Sequence, residues 1–413
     1  MKFKDMKMTD SKSINVLIYL NDSTKPIGGT LLYDNNSITL SYVVDEFGFK
    51  KLDQEQNIEY LRVLTHEGEY ISLINGYILN YKIHTANISA YEWHFQYLIV
   101  TKSNYEVHPE RNEFSGFKIN CTYLKKILKN SPFTIGFKDV NEFPSYIETN
   151  LNIKMGFSII KNPQIQVTDF ISAKSTIFDK STDLLLESTS FINIKFFKYL
   201  KLEEIIVEVN NFKNLLSFLM DMRILVEELY IKNDKGELKV LWSNESNIKV
   251  SQERTELIEN ASELIQNKFP IIVTNFYKTD IFKDIFETFV NNMYKPIYVD
   301  DYLLSQIKLI EGLDTRFRDK NQRPLKHRVK KFFELFTERE VESINKKLNN
   351  EITLNQDLID FLHNFRNYHS HLYEIERKPY YDTDMYVLSK FLRELVKTFM
   401  INKLTDESLL KSI

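Results

Sequence analysis

Three of the chain's 8 histidines fall in one short segment, His363-Asn364-Phe365-Arg366-Asn367-Tyr368-His369-Ser370-His371. Imidazole, amide and guanidinium together are the groups that RNA cleavage without a metal requires. The ribose 2′-hydroxyl must lose a proton to attack the adjacent phosphorus, and the departing 5′-oxygen must gain one. Histidine titrates near neutrality and suits either task. An arginine clamps the phosphate with paired donors and offsets the charge that builds on it. An amide orients the imidazole or the phosphate. On a helix, Asn367 and His371 lie one turn apart on one face, His363 extends that stripe a turn earlier, and Arg366 borders it. Arg366 with His369 or Ser370 forms a second stripe, so helical spacing leaves open which histidine acts. Arg366, Asn367 and His371 are the catalytic candidates, with His369, His363 and Tyr368 as supporting or substrate-contacting groups. A metal site built from the three histidines is disfavoured, because His369 and His371 point to different faces; neither metal nor cofactor is expected. The plainer alternative for Arg366 and His371 is a buried helix pair satisfying its own hydrogen bonds.

These residues must be positioned by helices. From about Glu253 the apolar residues recur three and four apart. Glu253 to Phe269 forms one such stretch, and Ile281, Ile285, Phe286 and Phe289 mark a second. A third starts at the acidic cap Asp300-Asp301 and carries Tyr302, Leu303, Ile307 and Ile310. Pro324 opens a fourth, with Leu325, Val329, Phe332 and Phe333 on its stripe. Leu354 to Glu376, holding the histidine segment, is a fifth, and Met385 to Ile401 a sixth. Earlier in the chain the pattern has period two, as in Ser37–Tyr42 and Glu92–Leu98, and predicts strands with one buried face. Ile224 to Trp242 reads as a hairpin turning at Asn233-Asp234-Lys235-Gly236. One helix is expected within this half, at Asn211 to Met222. Gly28-Gly29 reads as a turn. The fold class that follows is α+β: a large β-rich N-terminal domain (1–250), a helical connector (251–297) and a helical bundle (298–413).

Composition is that of a globular protein, 43% hydrophobic and 27% charged, and 413 residues suggest more than one domain. The net charge of -3 carries no nucleic-acid signature, so any RNA contact must come from a local patch. Residues 316–331 supply one, with Arg316, Arg318, Lys320, Arg323, Lys326, Arg328, Lys330 and Lys331 broken by a single acid; the alternative is a solvated helix face. One cysteine, Cys121, rules out an internal disulfide and fits a reducing compartment. The charged start lacks an apolar stretch, and no run is long enough to span a bilayer, so a cytoplasmic protein without membrane contact is expected.

Arg366-Asn367, with His371 four positions after Asn367, has the form of the HEPN ribonuclease motif. The bare Arg–His spacing arises by chance roughly 0.7 times in such a chain; an adjacent Asn lowers that to about 0.05. The string Arg-Asn-Tyr-His-Ser-His resembles the ApeA-like branch of HEPN domains, and Gly28-Gly29-Thr30-Leu31-Leu32-Tyr33 is similar in style to the start of the ApeA N-terminal region. Leu303 to Arg318 and Leu325 to Phe336 resemble the first two HEPN helices. The resemblance implies an anti-phage abortive-infection toxin that cleaves RNA, transfer RNA being one candidate, to a 2′,3′-cyclic phosphate and a 5′-hydroxyl without metal. It implies a homodimer through the HEPN domain, two motifs bringing acid and base together, and an N-terminal domain that senses a phage-derived trigger. Two other functions stay open: a non-catalytic HEPN module binding RNA or a partner, and a sensor or adaptor acting through the β-rich half.

Overall fold

The computed structural model describes residues 2–19, 25–34, 37–45, 57–84, 88–101, 107–128, 133–136, 146–149, 155–157, 164–178, 181–243, 254–278, 281–294, 298–317, 324–370, 381 and 383–406. The fold is α+β, strands first and helices after, as the change of period predicts. The chain divides into two compact units, Met1–Lys213 with Ile224–Ser262, and Asn214–Arg223 with Glu263–Ile413.

In the first unit, β1 (Lys12–Tyr19), β2 (Ile27–Asp34), β3 (Ser37–Asp45), β4 (Asn57–Thr65), β5 (Tyr70–His84) and β6 (Ile88–Thr101) close into an antiparallel ring, ordered β6-β3-β2-β1-β4-β5 with β5 returning to β6. Alternate residues fill it, among them Ile14, Val16 and Ile18 from β1, Leu31 and Tyr33 from β2, and Trp93 and Phe95 from β6. Closure satisfies the strand edges that an open sheet would leave bare. The two alternating segments seen in the sequence are β3 and β6, and they pair with each other: Thr39 opposes His94 and Leu40 opposes Trp93.

The sheet continues from β6 through later elements: β7 (Phe114–Cys121), a short helix α1 (Leu124–Leu128), β8 (Phe133–Gly136), β9 (Tyr146–Thr149), β10 (Met155–Phe157), β11 (Gln164–Phe178), β12 (Ser181–Leu200), helix α2 (Leu202–Met220), β13 (Val226–Asn233) and β14 (Gly236–Trp242). Its order beyond β6 is β14-β13-β7-β12-β11-β10, with β8 and β9 forming a separate ribbon. The expected hairpin is β13–β14, and Gly236 takes the positive φ of 124° that a tight turn requires.

The remaining helices are α3 (Thr255–Lys278), α4 (Ile281–Tyr294), α5 (Val299–Phe317), α6 (Leu325–Phe333), α7 (Glu338–Leu348), α8 (Gln356–Ser370) and α9 (Met385–Leu404). The second unit packs α5 against α9, α6 and α8, with α6 also on α8 and α7 on α9. Among the described residues no helix is long and apolar enough to cross a membrane.

Three expectations change. Gly28-Gly29 lies inside β2, not in a turn. A Cβ on Gly29 would come within 2.9 Å of the Ser41 carbonyl and 2.7 Å of Ile18 Cδ1, so glycine serves close strand approach there. Helix α2 begins at Leu202 rather than Asn211, because Leu202, Ile205 and Val209 are buried as well. Helix α3 runs through Pro270 instead of stopping at Phe269. An interior proline costs about 3 kcal/mol. Burying Ile265, Phe269, Ile272, Val273 and Phe276 returns more, at about 1.5–3 kcal/mol for each side chain. The end of the histidine-bearing stretch, 371–376, lies outside the described residues.

Candidate functional site

Helix α8 presents two unlike faces. Leu358, Phe361, Leu362 and Phe365 are buried and fix its rotation against the bundle. His363, Arg366 and Asn367, at i, i+3 and i+4, fall off that buried stripe and are half-exposed. Asn367 Nδ2 lies 3.2 Å from His363 Nε2, and His363 Nδ1 lies 3.3 Å from Asn364 Oδ1. The same amide nitrogen lies 3.5 Å from His363 Nδ1, so it reaches both ring nitrogens, and in the described residues the imidazole beside Asn367 is His363. His371 lies outside the described residues.

His369 sits differently. Its ring packs against Phe365 at 4.5 Å between centroids and meets Tyr368 edge-on at 5.2 Å. Its Nε2 is buried and has no hydrogen-bond partner among the described residues. Tyr368, half-exposed, therefore supports His369 rather than the His363 face.

Arg366 is held from α5. Its Nη2 lies 3.9 Å from Glu311 Oε2, an ion contact longer than a direct hydrogen bond, and a third of the side chain (33%) stays exposed. Glu311 also receives Arg328 of α6, whose Nη1 donates to Glu311 Oε1 at 3.3 Å and to Thr315 Oγ1 at 2.9 Å. One carboxylate thus ties α5, α6 and α8 together at the site. Glu311 and Thr315 are one turn apart on α5, a spacing that could have marked them as the counterpart of a buried arginine; neither was singled out in the sequence as a site residue.

The basic run is taken up within the fold. Arg328 is buried at 9% exposure. Lys326 pairs with Asp360 of α8 at 2.7 Å, Lys331 with Glu334 at 2.6 Å, and Arg316 with Asp284 of α4 at 3.4 Å. Hydrogen bonds from Lys326 and then Gln356 hold the Asp360 carboxyl below the ordinary carboxylate range. Lys330 is exposed on α6. Arg318, Lys320 and Arg323 lie outside the described residues. Among the described residues no three His, Cys, Asp or Glu side chains converge as a metal site would need.

The first unit has a cavity of about 940 Å³ lined by β1, β2, β3, β5 and β6, with Asn15, Ser41, His66, Lys82 and Glu92 among its polar groups. No sequence motif announced it, because its residues come in short runs from separate strands.

Comparison with known families matches residues 13–287 to the family described as ApeA N-terminal domain 1. The match spans the β-rich unit, α2 and α3, and ends within α4, before the helices that carry Glu311 and Arg366. No curated protein and no solved structure matches the chain. The match takes in well over half of the sequence, and the chain belongs to the ApeA N-terminal domain family.

Proposed function

We propose that this chain is an anti-phage defence protein whose helical unit cleaves RNA. Family membership supports the defence role. The observation that carries the ribonuclease reading is the half-exposed Arg366 beside an amide-held imidazole on the solvent side of α8. Arg366 keeps donors to clamp a phosphate, because its ion contact with Glu311 is long. Histidine would then move the protons of 2′-hydroxyl attack and 5′-oxygen departure, giving a 2′,3′-cyclic phosphate. His371 takes one of these roles by the HEPN resemblance. The same resemblance supports a homodimer, an RNA substrate such as transfer RNA, a phage-derived trigger read by the β-rich unit, and a cytoplasmic place of action.

The test is incubation of the purified protein with total RNA in EDTA. Wild type should cleave, and Arg366→Ala and His371→Ala should each lose about 100-fold or more. Equal cleavage by all three would refute the reading and leave a non-catalytic RNA- or partner-binding module. A second reading places the working surface in the β-rich unit, and the cavity among its strands favours it. In that case a ligand of the mainly apolar cavity would carry the effect, and cellular protection would survive both substitutions.

A further inference from the structure

We propose that the cavity of the β-rich unit binds an extended peptide, which seats one apolar side chain on Gly28 and an ammonium group on Glu92. The inference deepens the reading that gives this unit a working surface, and it stands apart from the ribonuclease reading.

The cavity, about 940 Å³, lies on the outer face of the strand ring. Val16, Tyr42 and Tyr91 turn inward and are buried, so the residues between them supply the outer surface. Strand register sorts these into two rows. Asn15, Thr30, Ser41, Glu92 and Asn80 stand side by side across β1, β2, β3, β6 and β5. Leu17, Gly28, Val43, Ala90 and Lys82 form the next row; Gly29 opposes Tyr42, which sets Gly28 beside Val43. His66, whose backbone N–H donates to the Asn15 carbonyl at 3.3 Å, closes the β1 end.

Each row has its own chemistry. In the second, Leu17 and Val43 are 43% and 57% exposed on either side of a glycine, and a Cβ on Gly28 would meet nothing within 4 Å. That is a notch for an apolar side chain. In the first, Asn15, Thr30, Ser41 and Asn80 are neutral and can both donate and accept, as the successive N–H and C=O groups of a peptide require. Thr30 and Asn15 already meet at 3.5 Å.

Charge fixes the rest of the ligand. Elsewhere in this unit Lys12 pairs with Glu67 and Lys118 with Glu237. Glu92 and Lys82 make no ion pair among the described residues. Lys82 is exposed and keeps its water, whereas Glu92 is half-buried, so a cation arriving at Glu92 gains more than an anion at Lys82. A phosphate backbone would meet the Glu92 carboxylate on the floor. Nor does the floor offer a stacking surface for bases, because Tyr42 and Tyr91 are buried and stacked on each other at 5.4 Å. Gly28 and Glu92 lie two strands and two residues apart, about 12 Å, which an extended peptide covers when its amino terminus is on Glu92 and its fourth side chain on Gly28.

The experiment titrates the full-length protein, by calorimetry, with amidated eight-residue peptides of serine and glycine that carry one leucine at position two, four or six. Each is made with a free and with an acetylated amino terminus. The free peptide with leucine at position four should bind tightest, and acetylation should weaken it about tenfold or more. Glu92→Gln should erase most of that difference, Gly28→Trp should fill the notch and lose binding, and Lys82→Gln should stay within about threefold of wild type. Unchanged circular dichroism melts confirm the folds; if Gly28→Trp melts lower, the acetylation difference in Glu92→Gln decides. An acetylated peptide beginning with lysine separates the two sources of ammonium: binding equal to the free peptide assigns a side chain, and weaker binding assigns the amino terminus. Equal binding of free and acetylated peptides by both wild type and Glu92→Gln would overturn the proposal. So would an RNA oligonucleotide that binds wild type and loses affinity in Gly28→Trp while no peptide binds. Either result leaves the cleavage test untouched.

Discussion

Replacing Asp221 by asparagine should break open a buried ionic junction of the helical unit. Asp221 ends α2 and sits in the left-handed region at φ 53°. Its carboxylate accepts a hydrogen bond from Arg393 of α9 and lies 3.2 Å from Lys397 Nζ, and the three side chains are only 10%, 14% and 13% exposed. The Arg393 guanidinium also lies 4.5 Å over the Phe289 ring. Burial alone would push the Asp221 carboxyl up. The Arg393 and Lys397 charges and hydrogen bonds outweigh that and hold it far below the ordinary carboxylate range. Asparagine keeps the shape and tolerates the left-handed backbone, so Asp221→Asn isolates the charge. It leaves two buried cations facing each other without their anion, which costs about 3–5 kcal/mol. Asp221→Ala should cost roughly 1–2 kcal/mol more, the left-handed penalty of an ordinary residue. A chain of two compact units need not unfold in one step, so the readout is hydrogen exchange of α9 amides during urea unfolding. The pH dependence has a definite sign. A depressed folded pKa gives stability that is fully present above the unfolded value, near 3.9, and lost as pH falls toward the folded value. Wild type should therefore lose α9 protection below about pH 4, while Asp221→Asn shows little change over that window. A difference between Asp221→Asn and wild type of under about 1 kcal/mol at pH 7 would refute the argument.

Four further substitutions test what holds each unit together by itself. A Cβ on Gly116 of β7 would fall on the Ile194 carbonyl of β12, closer than any real side chain sits to backbone, whereas a Cβ on Gly28 would meet nothing within 4 Å. Gly116→Ala should destabilise the β-rich unit by about 1–3 kcal/mol and Gly28→Ala should be close to neutral, both read from urea midpoints. In the helical unit, Glu311→Gln removes the anion shared by Arg328 and Arg366 and should cost about 1–3 kcal/mol. Its thermal midpoint should fall further than that of Thr315→Ala, which removes one neutral acceptor from the same arginine.

Local patterns carried the fold as far as local patterns reach. Period-two segments became β3 and β6, and the glycine-bearing turn became the β13–β14 hairpin. Ring closure through β5 and β6, and the insertion of β14 beside β6, depend on pairings between distant segments, which no window of sequence contains. Helix α7 went unread because its apolar stripe is thin, Val341, Ile344 and Leu348 in a strongly charged segment, with only Ile344 fully buried. Its signal lay in the ends: Thr337 and Glu340 form a reciprocal capping box, and Asn349 closes the helix at φ 50°. Gly28-Gly29 misled for the opposite reason. Two glycines read as punctuation, but at Gly29 the missing side chain makes room for the neighbouring strand.

The site was legible wherever helical spacing decides contact. His363 and Asn367, one turn apart, do meet. The choice between stripes becomes readable once Leu358, Leu362 and Phe365 are taken as the buried side, because His369 then falls toward the core and His363 away from it. The basic run was the least legible part. Its sequence shows cations in a row, but the acids that answer them come from α4, α5 and α8. These pairs are not equivalent. Exposed pairs such as Lys326–Asp360 and Lys331–Glu334 are screened by water and contribute little, so an arriving phosphate could exchange for the carboxylate at little loss. Arg328 is buried between Glu311 and Thr315 and would leave a desolvated anion behind if it turned outward. Among the described members of the run, the ribonuclease proposal therefore leaves Arg316, Lys326, Lys330 and Lys331 as the candidates for a phosphate backbone. Arg328 instead serves the site indirectly, by fixing the carboxylate against which Arg366 rests.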